Sequence, residues 1–272
     1  MRTAQVQLAN GRRIDFCLAE PAGTEAFFVL GVRKSGSSIM NSMLAPLGKI
    51  NGYDFIDVGG HFFKQDVPEE AWRTDQAALS LLEPGHLYGG FRTMPKVFQH
   101  STVFRDGRKI LLVRDPRDAL VSEYFSVAYT HTLPAAAQRG GVREGFLKER
   151  AAARRMAIED FVIERAAGFN KTLMEYRGVL TDPKLALYFY EDVILHKRAW
   201  LADIAAHFGW HAGSSAFLDG MMGWADEIPS EERPRKFVRR VTPGDHKQKL
   251  SSQVIGRLNR ILEPCMALYG YG

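Results

Sequence analysis

The fourteen residues Phe27-Phe28-Val29-Leu30-Gly31-Val32-Arg33-Lys34-Ser35-Gly36-Ser37-Ser38-Ile39-Met40 constrain this chain more than any other segment. Ala26 to Leu30 is a short, nearly continuous apolar run, which reads as a strand buried on both faces. It enters a tight Gly/Ser loop, after which Ile39, Met43, Leu44 and Leu47 recur at helical spacing. Such a junction aims backbone N–H groups, hydroxyls and a helix N-terminus at one point, an arrangement that holds phosphate. Pro46 is expected to end or kink the helix.

The glycine spacing resembles the nucleotide loop G-x-x-x-x-G-K-[ST], with Gly31 and Gly36 in place but Ser37 at the lysine position. The loop's lysine, Lys34, precedes the second glycine instead. A nucleoside-triphosphate enzyme needs the missing lysine to reach the β/γ-phosphates. The loop therefore predicts phosphate binding without the usual ATP chemistry.

Beyond the loop, strands alternate with helices. Val6 to Phe16 alternates about Asn10-Gly11, which predicts a hairpin closed by a type I′ turn. Lys109 to Val113 reads as a second core strand, followed by the turn Arg114-Asp115-Pro116 and a helix over Arg117 to Tyr129. Met156 to Tyr176 is amphipathic, Leu185 to Tyr190 is a third strand, and a helix runs through Trp200, Leu201, Ile204, Ala205 and Phe208. This pattern predicts an α/β chain: a three-layer, P-loop-like fold whose central parallel sheet is flanked by helices. An N-terminal β-hairpin extension is expected over residues 1–25. With 272 residues, no repeat and no linker, the expectation is one domain over 1–272. Residues 131–155 and 224–249 read as irregular, mobile segments, candidates for lids or acceptor loops.

Composition narrows the function classes. Cys17 and Cys265 lie at opposite ends and match no metal spacing, so neither a disulfide framework nor a zinc site is expected. The first sixteen residues lack an apolar signal core, and no run approaches the roughly 20 apolar residues of a membrane span. A cytoplasmic setting is the resulting expectation. A net charge of +5 favours anionic ligands. Nucleic acid is not expected, because the basic residues lack interleaved aromatics and no zinc-finger or RNP pattern occurs.

Four stretches, taken in order, resemble the superfamily of sulfotransferases that use 3′-phosphoadenosine 5′-phosphosulfate (PAPS). Gly31 to Ser38 is similar to its 5′-phosphosulfate loop, where lysine precedes Ser/Gly-Gly-Thr. Val113 to Tyr124 is similar to R-[ND]-P-x-[DE]-x-x-x-S-x-Y, whose Arg and Ser hold the 3′-phosphate; here these are Arg114 and Ser122. Tyr190-Glu191-Asp192 after a strand is the third, and Arg239 to Lys247 resembles R-K-G-x-x-G-D-W-K. The resemblance implies sulfuryl transfer from PAPS to a hydroxyl, or an amine, with release of adenosine 3′,5′-bisphosphate (PAP) and no metal. It implies cofactor contacts from Arg33, Lys34, Ser35, Gly36, Ser37, Ser38, Arg114, Ser122, Tyr190, Arg239 and Arg240, with Lys34 stabilising the leaving phosphate.

The general base is the point of departure from two family branches. Phe91-Arg92-Thr93-Met94-Pro95 stands where the cytosolic branch has K-T-H-[LM]-P, so that histidine is missing. Gly59-Gly60-His61-Phe62-Phe63-Lys64 keeps the His-Phe-Phe of the heparan sulfate 3-O-sulfotransferase segment E-x-H-F-F-D, but Gly59 replaces its Glu. His61 is the first candidate base, with Asp57 and His86 as alternatives, and Arg92 a candidate to neutralise the sulfuryl oxygens. Two other readings stay open: a P-loop kinase of nucleotides or small molecules, and a PAP-binding protein without turnover. The acceptor is a small molecule, a lipid or a glycan, and the oligomeric state is open.

Overall fold

In the computed structural model, which describes residues 2–131, 142–226, 229, 231–233, 235–236 and 239–272, the chain opens with an antiparallel hairpin. Its strands are β1 (Arg2–Gln7) and β2 (Arg13–Leu18). Val6, Ile14, Phe16 and Leu18 are buried while the intervening residues are exposed. The turn differs from the expected type I′. The Leu8 N–H donates to the Arg12 carbonyl (2.8 Å) and the Gly11 N–H to the Leu8 carbonyl (2.9 Å), with Gly11 at φ 83°. This is a three-residue loop closed by a left-handed glycine. Register explains it: Val6 faces Ile14 and Ala4 faces Phe16. A two-residue loop at Asn10-Gly11 would slide Val6 opposite Asp15 and mix apolar with charged residues on the buried face.

The main sheet has five parallel strands: β3 (Phe27–Gly31), β4 (Phe55–Asp57), β5 (Leu87–Gly89), β6 (Arg108–Val113) and β7 (Leu185–Phe189), in the order β4-β5-β3-β6-β7. Alternate residues of the central strands supply the two cores. Phe27, Val29, Ile110 and Leu112 face one, Phe28, Leu30, Leu111 and Val113 the other. In chain order the helices are α1 (Ser37–Ile50), α2 (Val58–Lys64), α3 (Glu69–Trp72), α4 (Thr102–Asp106), α5 (Pro116–Phe125) and α6 (Val142–Ala153). They continue as α7 (Ile158–Met174), α8 (Tyr190–Val193), α9 (Lys197–Phe208), α10 (Ser215–Ala225), α11 (His246–Lys249) and α12 (Ser252–Tyr269). α1 and α9 cover the first face; α5, α7, α12 and the hairpin cover the second.

Two helices depart from the sequence reading. α1 passes through Pro46 and continues to Ile50. Leu47 is fully buried in its last turn, and Gly48 lies so close to β5 that a Cβ would meet Leu87 Cδ2 at 2.7 Å. That packing outweighs the hydrogen bond Pro46 cannot make. α6 occupies most of the described part of the segment expected to be irregular. After α5 the chain makes a π-turn over Ser126–Thr130, leaving carbonyls without helical partners. Arg150 donates to the carbonyls of Val127 (3.4 Å) and His131 (2.5 Å), and Arg154 to Ala128 (2.7 Å). These guanidiniums dock α6 across the turn. Of the second expected loop, α10 covers the start and α11 the end. Residues 132–141, 227, 228, 230, 234, 237 and 238 of these two segments lie outside the described residues. Among the described residues, no helix is long and apolar enough to cross a membrane.

Candidate active site

The carboxyl ends of the strands gather the candidate residues on one edge, where open α/β sheets bind ligands. β3 runs into the Gly/Ser loop, β5 into Arg92, β6 into Arg114, β7 into Tyr190, and β4 ends at Asp57. His86 precedes β5 and so lies at the opposite edge, where it is buried against Glu83 (2.6 Å). That position removes it from the list of bases.

The loop turns back through two left-handed residues, Lys34 (φ 65°) and Gly36 (φ 93°). At Gly36 a Cβ would stand 3.0 Å from Tyr190 Cδ2, so both backbone and space demand glycine. Ser35 is buried and closes the turn, its hydroxyl donating to the Val32 carbonyl (2.6 Å) and its N–H to the same oxygen (3.2 Å). No side chain caps α1 and no acidic residue sits in its first turn, so its N–H groups and positive dipole end face the loop. Arg92 donates to the hydroxyls of Ser37 (2.9 Å) and Ser38 (3.4 Å), and its carbonyl accepts the Arg33 N–H (3.0 Å).

Arg114 joins this loop to β6. Its guanidinium lies on the Tyr190 ring (4.2 Å) and donates to the Lys34 carbonyl (3.3 Å), while its buried Nε has no hydrogen-bond partner. Asp118, 3.8 Å from Arg114 and 1% exposed, anchors the segment before α11. It accepts the N–H groups of Gly244 (2.6 Å) and His246 (2.9 Å) and the His246 Nδ1–H (2.6 Å). Burial pushes its carboxyl up, but His246, Arg114 and these backbone donors outweigh that and hold it at about 2. Ser122 follows one turn later on α5, half-buried, and the Tyr190 hydroxyl donates to the Val241 carbonyl (3.0 Å).

Arg239 and Arg240 are engaged by protein groups. Arg239 pairs with Glu232 and Asp245 and lies over the Phe125 ring (4.2 Å). Arg240 donates to Gln248 (2.8 Å) and Asp245 (3.4 Å). Lys34 is held down to about 8, chiefly by burial and then by the charges of Arg114, Arg92 and Arg239; Glu123 opposes them. Sequence reading assigned no role to Asp118, Glu123 or Asp245. Asp118 did stand at the acidic position of the quoted pattern, four residues after Arg114.

The two remaining base candidates differ in setting. The His61 ring packs at a tilt against Phe16 (4.2 Å), and its Nε2–H donates to the Asp15 carbonyl of the hairpin (2.7 Å). Asp57 is exposed at the end of β4, with Oδ1 accepting the Gly60 N–H (3.0 Å) as the cap of α2. Its charge also acts on Arg92. Position 59 has no room for a side chain, since a Cβ would lie 2.3 Å from the Gly90 carbonyl oxygen. We expect Gly59→Glu to lower stability by about 2 kcal/mol or more in urea titration, rather than to install a base. Among the described residues, no three His, Cys, Asp or Glu side chains are grouped to hold a metal ion.

Residues 24–270 match the family described as the sulfotransferase domain. Among solved structures, mouse sulfotransferase SULT7A1, complexed with PAP, has the same fold. The two align with a TM-score of 0.55 at 11% identity over 92% of this chain and 90% of that one. A sulfotransferase from Alicyclobacillus acidocaldarius aligns over 92% of this chain and 94% of its own, at 16% identity and TM-score 0.48. No curated protein sequence matches. The family match takes in the loop, Arg92, Arg114, Tyr190 and the segment before α11, and with nearly its whole length included the chain belongs to the sulfotransferase domain family.

Proposed function

We propose that this chain is a PAPS-dependent sulfotransferase that moves the sulfuryl group to an acceptor hydroxyl, or secondarily an amine, and releases PAP. The observation that carries this reading is the hydrogen bond from Arg114 to the Lys34 carbonyl, which joins two anion sites on one edge of the sheet. PAPS carries charge at two separated points and needs two such sites. The residues fit it: Arg114 keeps an unpartnered buried Nε, and the first turn of α1 is uncapped. The loop residues Arg33 to Ser38 would hold the 5′-phosphosulfate, and Arg114 with Ser122 the 3′-phosphate. Tyr190 supports both as the platform beneath Gly36 and Arg114. Arg239 and Arg240 would reach the 3′-phosphate only by exchanging their carboxylate partners for it.

In the transfer, the sulfur–oxygen bond to the phosphate breaks and a new one to the acceptor oxygen forms, while the hydroxyl proton passes to a base. Lys34 offsets charge on the departing phosphate, and Arg92 charge on the sulfuryl oxygens. We assign the base to Asp57, exposed at the end of β4 with its charge acting on Arg92; the His61 Nε2–H donates to the Asp15 carbonyl, which makes Nδ1 of that ring the second candidate. A small molecule, a lipid or a glycan can serve as acceptor. Both cysteines are free, which fits a reducing compartment such as the cytoplasm.

Calorimetric titration with PAP tests the reading, and absence of binding at high micromolar PAP would end it. Lys34→Ala and Arg114→Ala are each expected to weaken PAP about 10- to 100-fold, the loss of a charge-assisted contact. Unchanged affinity in both would refute the site. A screen of hydroxyl acceptors with labelled PAPS then separates an enzyme from a binding protein.

A further inference from the structure

Lys34 stands in a crowd of positive charge. Arg114 approaches from the end of β6, Arg92 from the segment after β5 and Arg239 from the segment before α11, and each disfavours its ammonium form. These three have partners of their own in Asp118, the Ser37 and Ser38 hydroxyls, and the Glu232–Asp245 pair. The opposing charge comes from α5. Glu123, next in the chain to Ser122, has a side chain 7% exposed and an Oε1 3.3 Å from Arg33 Nη1.

A buried carboxylate beside an anion site looks counterproductive, since it repels the ligand. Its value lies in which cation would otherwise fail. Arginine keeps its proton in proteins, whereas a lysine crowded by like charge gives it up more readily. Resting on the PAPS reading above, we propose that Glu123 is a positioning residue, the internal counter-charge that holds Arg33 and balances the cations gathered at the phosphosulfate loop, where the leaving phosphate must be neutralised. Its pairing with Arg33 tempers the repulsion of the incoming anion.

PAP provides the probe, titrated calorimetrically from pH 6.5 to 9 in buffers of low and high ionisation enthalpy, which reports protons taken up on binding. An anion beside Lys34 raises its pKa. Wild-type binding should therefore take up a proton near and above pH 8, and weaken as pH rises through that range. In Glu123→Gln both curves should move toward acid by about one pH unit, the shift a single nearby charge produces. Glu123→Asp should restore them, and Lys34→Gln should abolish the uptake. If Glu123→Gln does not fold, Arg33→Met decides, because removing that cation should move the curves toward alkali. Superimposable curves for wild type and Glu123→Gln, an unmoved Arg33→Met curve, or uptake persisting in Lys34→Gln would overturn the proposal while leaving the PAPS reading intact. Failure of the wild type to bind PAP would remove both.

Discussion

Asp57→Asn is expected to leave PAP affinity within a factor of about three and to slow sulfuryl transfer by about 10²–10⁴-fold, the usual worth of a general base. The substitution is chosen because asparagine caps a helix as well as aspartate does. The bond from Gly60 N–H, and with it α2, should persist. Only proton acceptance is lost. Rates are to be compared by PAP release with the hydroxyl acceptor that a labelled-PAPS screen returns. An acceptor ionised at the assay pH, such as 4-nitrophenol in mildly alkaline buffer, should escape the defect. His61→Phe is the counter-test: a loss of rate there as large as that expected for Asp57→Asn would assign the base to the His61 ring instead. A rate in Asp57→Asn within threefold of wild type would move the base elsewhere.

Asp118→Ala should cost the fold about 3–5 kcal/mol, the penalty for removing one member of a buried charged cluster. The side chain faces Arg114 on one side and three donors from Gly244 and His246 on another, so its removal strands a buried guanidinium and frees the segment before α11. Urea titration would read this as a lower midpoint at unchanged slope. The same group predicts an acid signature. Its folded pKa of about 2 lies below the ordinary 3.8, so the folded state binds the proton less readily than the unfolded chain. The resulting stabilisation, roughly 2–3 kcal/mol, is fully present above pH 3.8 and is lost as pH falls toward 2. In the variant that acid loss should shrink by the same amount. A midpoint shift equivalent to less than about 1 kcal/mol would mean the cluster is not the anchor we describe.

What the chain announces on its own is whatever neighbouring residues decide among themselves. The strand–loop–helix junction at Phe27–Met40 is legible because burial period, glycine freedom and helix spacing are all local. The parallel sheet follows from the alternation of strands and helices, whereas the four phosphate-associated segments are legible through their resemblance to a known family. Tertiary contact decided the rest, because charge partners and steric room depend on segments far apart in sequence. Arg114 meets Lys34 across 80 residues, and Asp118 meets Gly244 across 126. The Gly90 carbonyl closes position 59 to any side chain, and the hairpin takes up His61. The Arg150–Arg154 pair makes a helix of a segment that local composition marks as loose, because only the fold brings unpaired carbonyls within its reach.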